Sequence, residues 1–130
     1  MQTIRTLWAG CLAAVLLATV ALAGPQDDFA RAQELRERGD LTGAFELFRS
    51  AATHGHLDAR VEMGRSYANG MGVPQDFAKA HVWYDIAVMN GSSGAIFGRR
   101  NAFKQLSDSE VAEATAQARL CIETNYLDCM

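Results

Sequence analysis

The stretch Gly70-Met71-Gly72-Val73-Pro74-Gln75-Asp76-Phe77-Ala78-Lys79-Ala80-His81-Val82-Trp83-Tyr84 decides the fold. Its first half cannot be helix, because Gly70, Gly72 and Pro74 interrupt any ladder of i→i−4 hydrogen bonds. Its second half starts one. Asp76 is a good N-cap, and Ala80, Trp83, Tyr84 and Ala87 recur at helical spacing. Working backwards, the same spacing holds at a constant offset of 36 residues: Ala44 matches Ala80, Leu47 faces Trp83, Phe48 faces Tyr84, and Ala51 matches Ala87. Gly55 with Gly91 and Ala59 with Ala95 extend the match, so four of six pairs are identical. Small residues recur where helices must approach closely and large apolar ones where a core must be filled. An internal period of this length marks stacked helical hairpins.

Outward from that stretch the chain divides into helices. Asp40 caps a helix whose apolar face is Ala44, Leu47, Phe48, Ala51 and Ala52, and Gly55 stops it in the left-handed C′ conformation. A second helix is predicted from Leu57 to Ala68, with Val61, Gly64 and Tyr67 as packing positions. After the glycine-rich turn, the Asp76 helix ends at Gly91, and its partner runs from near Ser93 to Phe103. Ser107-Asp108-Ser109-Glu110 is a capping box flanked by the hydrophobic staple Leu106 and Val111, and it opens a helix with the stripe Val111, Ala114, Ala118 and Cys121. Asp27 to Arg38 reads as a lead-in helix stopped by Gly39. The expectation is all-α: a short α-solenoid of about six helices, with the lead-in at 24–39, two repeats at 40–105 and a capping helix and tail at 106–130.

Residues 1–23 read as a targeting segment and not as part of this fold. One positive charge, Arg5, precedes an uncharged run from Leu7 to Ala23 rich in Leu, Ala and Val. Ala21-Leu22-Ala23 supplies the small residues at −3 and −1 that signal peptidase requires, which predicts cleavage between Ala23 and Gly24. The expected destination is the periplasm or the exterior, in proximity to the membrane or cell wall. Cleavage leaves 11 basic and 15 acidic residues, a net charge of −4, and no basic cluster. Nucleic acid needs clustered Lys and Arg, so it is not an expected partner.

Two cysteines follow the segment, Cys121 and Cys129. An even pair in an exported chain reads as a disulfide. On one continuous helix they would lie roughly 12 Å apart, too far to bridge, so the last helix must end between them, near Asn125. The closed loop contributes roughly 2–3 kcal/mol in the chain-entropy model.

The run Ala44, Phe48, Ala51-Ala52, Gly55, Ala59, Met63-Gly64, Tyr67, Gly70, Gly72-Val73, Asp76, Lys79-Ala80, Trp83-Tyr84, Ala87 and Gly91 resembles the Sel1-like repeat of the tetratricopeptide superfamily, in its small exported bacterial form. Its most specific part is the G-x-G-V turn followed by D-x-x-K-A-x-x-W-Y. The tail, with Leu106-Ser107, an Ala-rich helix and a terminal cysteine, is also similar to that form. Gly98-Arg99-Arg100 departs from the family's usual second Leu-Gly, which suggests an array that ends here. The resemblance implies a right-handed solenoid acting as an adaptor between proteins. Fold alone does not fix function.

The residues offer little catalytic chemistry. Trp83 and Tyr84 fall inside the apolar arc and read as core. His54 and His56 flank Gly55 in an interhelix turn without further ligands at metal spacing, and read as solvated, with His56 helping to cap. His81 has no serine or cysteine partner. No cofactor, metal or catalytic residue is therefore assigned. At roughly 100° per residue, Phe45 and Arg49 lie just beyond the edge of the core arc, and His81 and Asp85 are their counterparts. These four are the candidate partner-binding residues, since recognition surfaces favour aromatics and Arg. The expected function is a non-enzymatic exported adaptor with a protein partner. The alternative is a cell-wall protein that binds or hydrolyses peptidoglycan or β-lactams, but the chain has no S-x-x-K.

Overall fold

The computed structural model describes residues 24–127 and 129, which form six α-helices and no strand. They are α1 (Pro25–Glu37), α2 (Leu41–Thr53), α3 (Leu57–Asn69), α4 (Phe77–Met89), α5 (Ala95–Phe103) and α6 (Asp108–Glu123). The targeting segment expected at 1–23 lies outside the described residues.

The starts of the helices are where capping chemistry puts them. Asp40 Oδ1 accepts from the Gly43 amide, Asp76 Oδ1 from the Lys79 amide, and Ser107 Oγ from the Glu110 amide. Glu110 returns the favour by accepting from the Ser107 amide at 2.7 Å, which completes the box and draws its carboxyl below the usual range. The stops repeat as well. Gly55 and Gly91 take φ of 102° and 94°, and the next amide in each case reaches back to Ala51 or Ala87 at 2.9 Å. The first turns of α5 depart from expectation: the helix begins at Ala95, not Ser93, on Gly94, which has no side chain to cap with.

The helices stack as hairpins. α1 packs on α2, α2 on α3, and α3 on α4; α4 then packs on both α5 and α6. Ala44, Ala51, Ala80, Ala87, Ala59 and Ala95 are all buried, and Phe48, Met63, Trp83 and Ile86 fill the space between them. The glycine-rich turn is shaped by a close approach. A Cβ on Gly72, where φ is 74°, would sit 2.1 Å from the Leu41 carbonyl oxygen, so the turn lies directly on the start of α2. Gly64 and Gly98 flank the Tyr84 ring, and a Cβ on either would overlap it, at 2.7 and 2.4 Å. Gly98 is thus a packing residue of the second hairpin. Side-chain contacts dock α1 as the cap of the stack, among them Arg36 to Glu62 on α3 at 2.8 Å, Ser50 Oγ donating to Asp28 at 2.7 Å, and Phe29 stacked on His56 at 4.1 Å.

At the other end, α6 stops at Glu123, and Asn125 and Tyr126 both take left-handed φ, 52° and 66°. The chain turns back and joins Cys129 to Cys121, with their Cα atoms 4.7 Å apart. The returning Tyr126 ring lies 4.4 Å from the Arg60 guanidinium, whose Nε donates to the Ala52 carbonyl near the end of α2. Burial lowers the Arg60 pKa, and Tyr126 partly offsets that. The disulfide therefore closes a tail that reaches from the last helix back to the first hairpin.

Candidate functional site

The four candidate residues do not form one surface. Phe45 is buried and meets the Tyr67 ring edge-on at 5.5 Å, so it belongs to the core and not to the flank of its helix. The reason is that α2 is held by α1 on one side and α3 on the other, which turns its buried arc towards Phe45 and leaves Leu47 half-buried. Arg49, one turn on, is exposed and ion-paired with Glu46.

His81 and Asp85 are corrected in the same way. Both are buried, with 4% and 5% of their surface exposed. α4 is packed by α3, α5 and α6, and every residue from Ala80 to Ala87 is buried. A helix with neighbours on all sides has no polar flank to offer. The polar pair must then satisfy itself inside. Asp85 accepts from Thr115 Oγ1 on α6 at 3.1 Å, and Arg99 Nη1 on α5 donates to it at 3.3 Å. His81 Nε2 stands 3.3 Å from Asp85 Oδ2, and Nδ1 has no hydrogen-bond partner among the described residues. Burial pushes the Asp85 carboxyl up, but the hydrogen bonds and charges of His81, Thr115 and Arg99 outweigh it and hold the carboxyl below its ordinary value of 3.8. One carboxylate thus bonds three helices together, as charge-assisted hydrogen bonds do most strongly when sheltered from water.

Two open depressions flank these residues. One, of about 450 Å³, lies between α2, α4 and the returning tail; Glu46, Arg49, Ser50 and Thr53 form one wall, Trp83 the floor, and Leu127 the far side. The other, of about 400 Å³, lies over His81 and Asp85 between α4, α5 and α6, with Ile96, Arg100 and Phe103 at its rim. Arg49 is at the first and His81 and Asp85 at the second, while Phe45 lines neither.

His56 is also corrected: it is not solvated but buried. Its Nδ1 accepts from the Ala59 amide as the cap of α3, and its Nε2 meets Gln26 Oε1 at 3.0 Å. Sequence reasoning missed Arg60 and Tyr126 altogether, because their contact depends on a chain reversal beyond the last helix. The only signal for it was the cysteine spacing. Among the described residues no group of three or more His, Cys, Asp or Glu side chains is placed to hold a metal ion.

The Sel1 repeat family matches residues 36–56 and 57–92, the second block being α3 with α4. An uncharacterized Sel1-like repeat-containing protein of Schizosaccharomyces pombe is 39% identical over 51 residues, 39% of this chain. The fold is similar to the crystal structure of a protective antigen present in uropathogenic Escherichia coli strains that displays an SLR fold, with a TM-score of 0.74 and 25% identity over 82% of this chain. The chain spans 8% of the length of the first and 24% of the second. Repeats of this kind generally serve as non-enzymatic scaffolds for protein–protein interaction. Matched in its period and its turn, and set in a six-helix stack of the same fold, residues 36–92 of this chain are Sel1 repeats.

Proposed function

We propose that this chain is an exported, non-enzymatic adaptor that holds a protein partner in the groove between α2, α4 and the disulfide-closed tail. The groove itself is the observation that carries the reading. It is open, it is about 450 Å³ in volume, and it presents a cation, an anion, two hydroxyls and an exposed leucine around an indole floor. Among the described residues Arg49 is ion-paired with Glu46 alone, in solvent, and exposed pairs of that kind contribute little, so a partner's carboxylate can take the guanidinium over at small cost. Export is supported by the Ala21-Leu22-Ala23 site after an uncharged apolar run.

The test is a photo-crosslinking amino acid placed singly at Arg49, at Thr53 and, outside the groove on α1, at the exposed Glu34. One protein trapped from both groove positions and not from position 34 is the expected result. Identical patterns from all three, or none, would sink the adaptor reading. Mass spectrometry of the recovered chain also checks the leader, with Gly24 as the expected first residue.

A further inference from the structure

We infer that the solvent face of α5 docks the protein on an anionic lipid surface. From Ile86 to Ser107 the chain contains no acidic residue, although it carries 15 in all, and within this run lie Arg99, Arg100 and Lys104. Arg99 is engaged by buried Asp85, whereas Arg100 and Lys104 have no ion pair among the described residues. Most other cations of the described stack are spoken for: Arg31, Arg36, Arg38, Arg49 and Arg65 each have a carboxylate within 4.0 Å. Arg100 and the C-cap Lys104 thus stand exposed together at α5, in a stretch of this acidic protein that contains no acidic residue.

The same helix exposes its largest apolar side chains. Phe97 is 72% exposed, Phe103 48% and Ile96 43%. At 100° per residue, Phe103, Ile96, Arg100, Lys104 and Phe97 fall in that order within an arc of roughly 120°. Ala95, Gly98 and Ala102 fall opposite, and these are the residues that pack inward, Gly98 against Tyr84. The outer face is thus two cations with an apolar side chain or pair on each side. A helix so arranged places its ammonium and guanidinium groups among lipid phosphates while its rings enter the boundary of the acyl region. The nearest acids beyond the run, Asp108 and Glu110, belong to the start of α6, where Glu110 is turned back onto Ser107. α5 does not line the groove that holds Arg49, so a docked molecule keeps that groove open.

Hydrogen–deuterium exchange of the full chain, with vesicles of phosphatidylglycerol or of phosphatidylcholine, reads the contact locally and so is unaffected by any hold that residues 1–23 have on lipid. Peptides covering residues 95–104 should exchange about tenfold more slowly on phosphatidylglycerol than on phosphatidylcholine, as expected for two cations near an anionic surface. Raising salt should remove the difference. R100E/K104E should abolish it and Phe97→Ser should reduce it; both change exposed side chains, and unchanged circular dichroism and melting confirm the fold. Equal protection on both lipids, or protection that survives R100E/K104E, overturns the proposal. So does protection that depends on protein concentration without lipid, which would assign the face to a second copy of this chain.

Discussion

Helices α2 and α4 hold equivalent places 36 residues apart, yet the same position means different things on each. Both carry a capping aspartate, a pair of buried alanines seven residues apart and a glycine stop of nearly the same φ. Leu47 is half-buried, however, while its counterpart Trp83 is fully buried; Arg49 stands in solvent, while its counterpart Asp85 is inside. The period conserves the backbone and the small residues that let helices touch. It does not conserve surroundings, because α2 has two neighbours and α4 three. In a short stack the middle helix is the core, and substitutions at equivalent positions should separate accordingly.

The widest separation is expected at the Leu47/Trp83 pair. Trp83→Ala removes the largest fully buried side chain and should cost about 3–5 kcal/mol, whereas Leu47→Ala should cost under about 2 kcal/mol. Urea melts of the two variants check this, and equal losses would mean that α2 and α4 are buried alike. Next in size is the tail, which links the last helix to the first hairpin through Tyr126 and Arg60. Replacing Cys121 and Cys129 together by serine should cost about 2–3 kcal/mol. Tyr126→Ala should cost about 1 kcal/mol, the value of a cation–π contact partly shielded from water. If the double serine variant melts as the parent does, the tail adds nothing to the stack.

Much of this architecture was legible in the residues, and the parts that were not share a cause. The caps Asp40, Asp76 and Ser107 and the stops Gly55 and Gly91 are local: each rests on hydrogen bonds within six residues, so spacing reveals them. The end of α6 near Asn125 followed from cysteine geometry alone. Phe45, His81 and Asp85 were misplaced because a single apolar arc assumes a single neighbour, and their helices have two and three. Gly98 looked like a departure from the repeat, and only the Tyr84 ring beside it shows why a side chain is excluded there. His56 lies in a turn, where solvent is the default, but a lead-in helix that the repeat does not contain covers it with Phe29. Neighbours supplied from outside the period cannot be read from the period.

The smallest difference, and the most specific, concerns Arg49 and Asp85. Arg49→Ala should change stability by less than about 0.5 kcal/mol, since its ion pair with Glu46 is exposed. Asp85→Ala leaves His81 and Thr115 without their acceptor inside the protein and should cost about 2 kcal/mol near neutral pH. Acid distinguishes the two further. The Asp85 carboxyl titrates lower in the folded chain than in the unfolded one, so the folded state binds fewer protons and stability rises with pH. Its contribution is complete above the ordinary value of 3.8 and is lost as pH falls through the lower folded value. The gap between parent and Asp85→Asn should therefore be widest above pH 3.8 and narrow below it, while the gap for Arg49→Ala stays near zero throughout. A gap for Asp85→Asn that does not shrink in acid would show that the carboxylate's charge is not what joins α4 to α5 and α6, and that packing around its side chain does the joining instead.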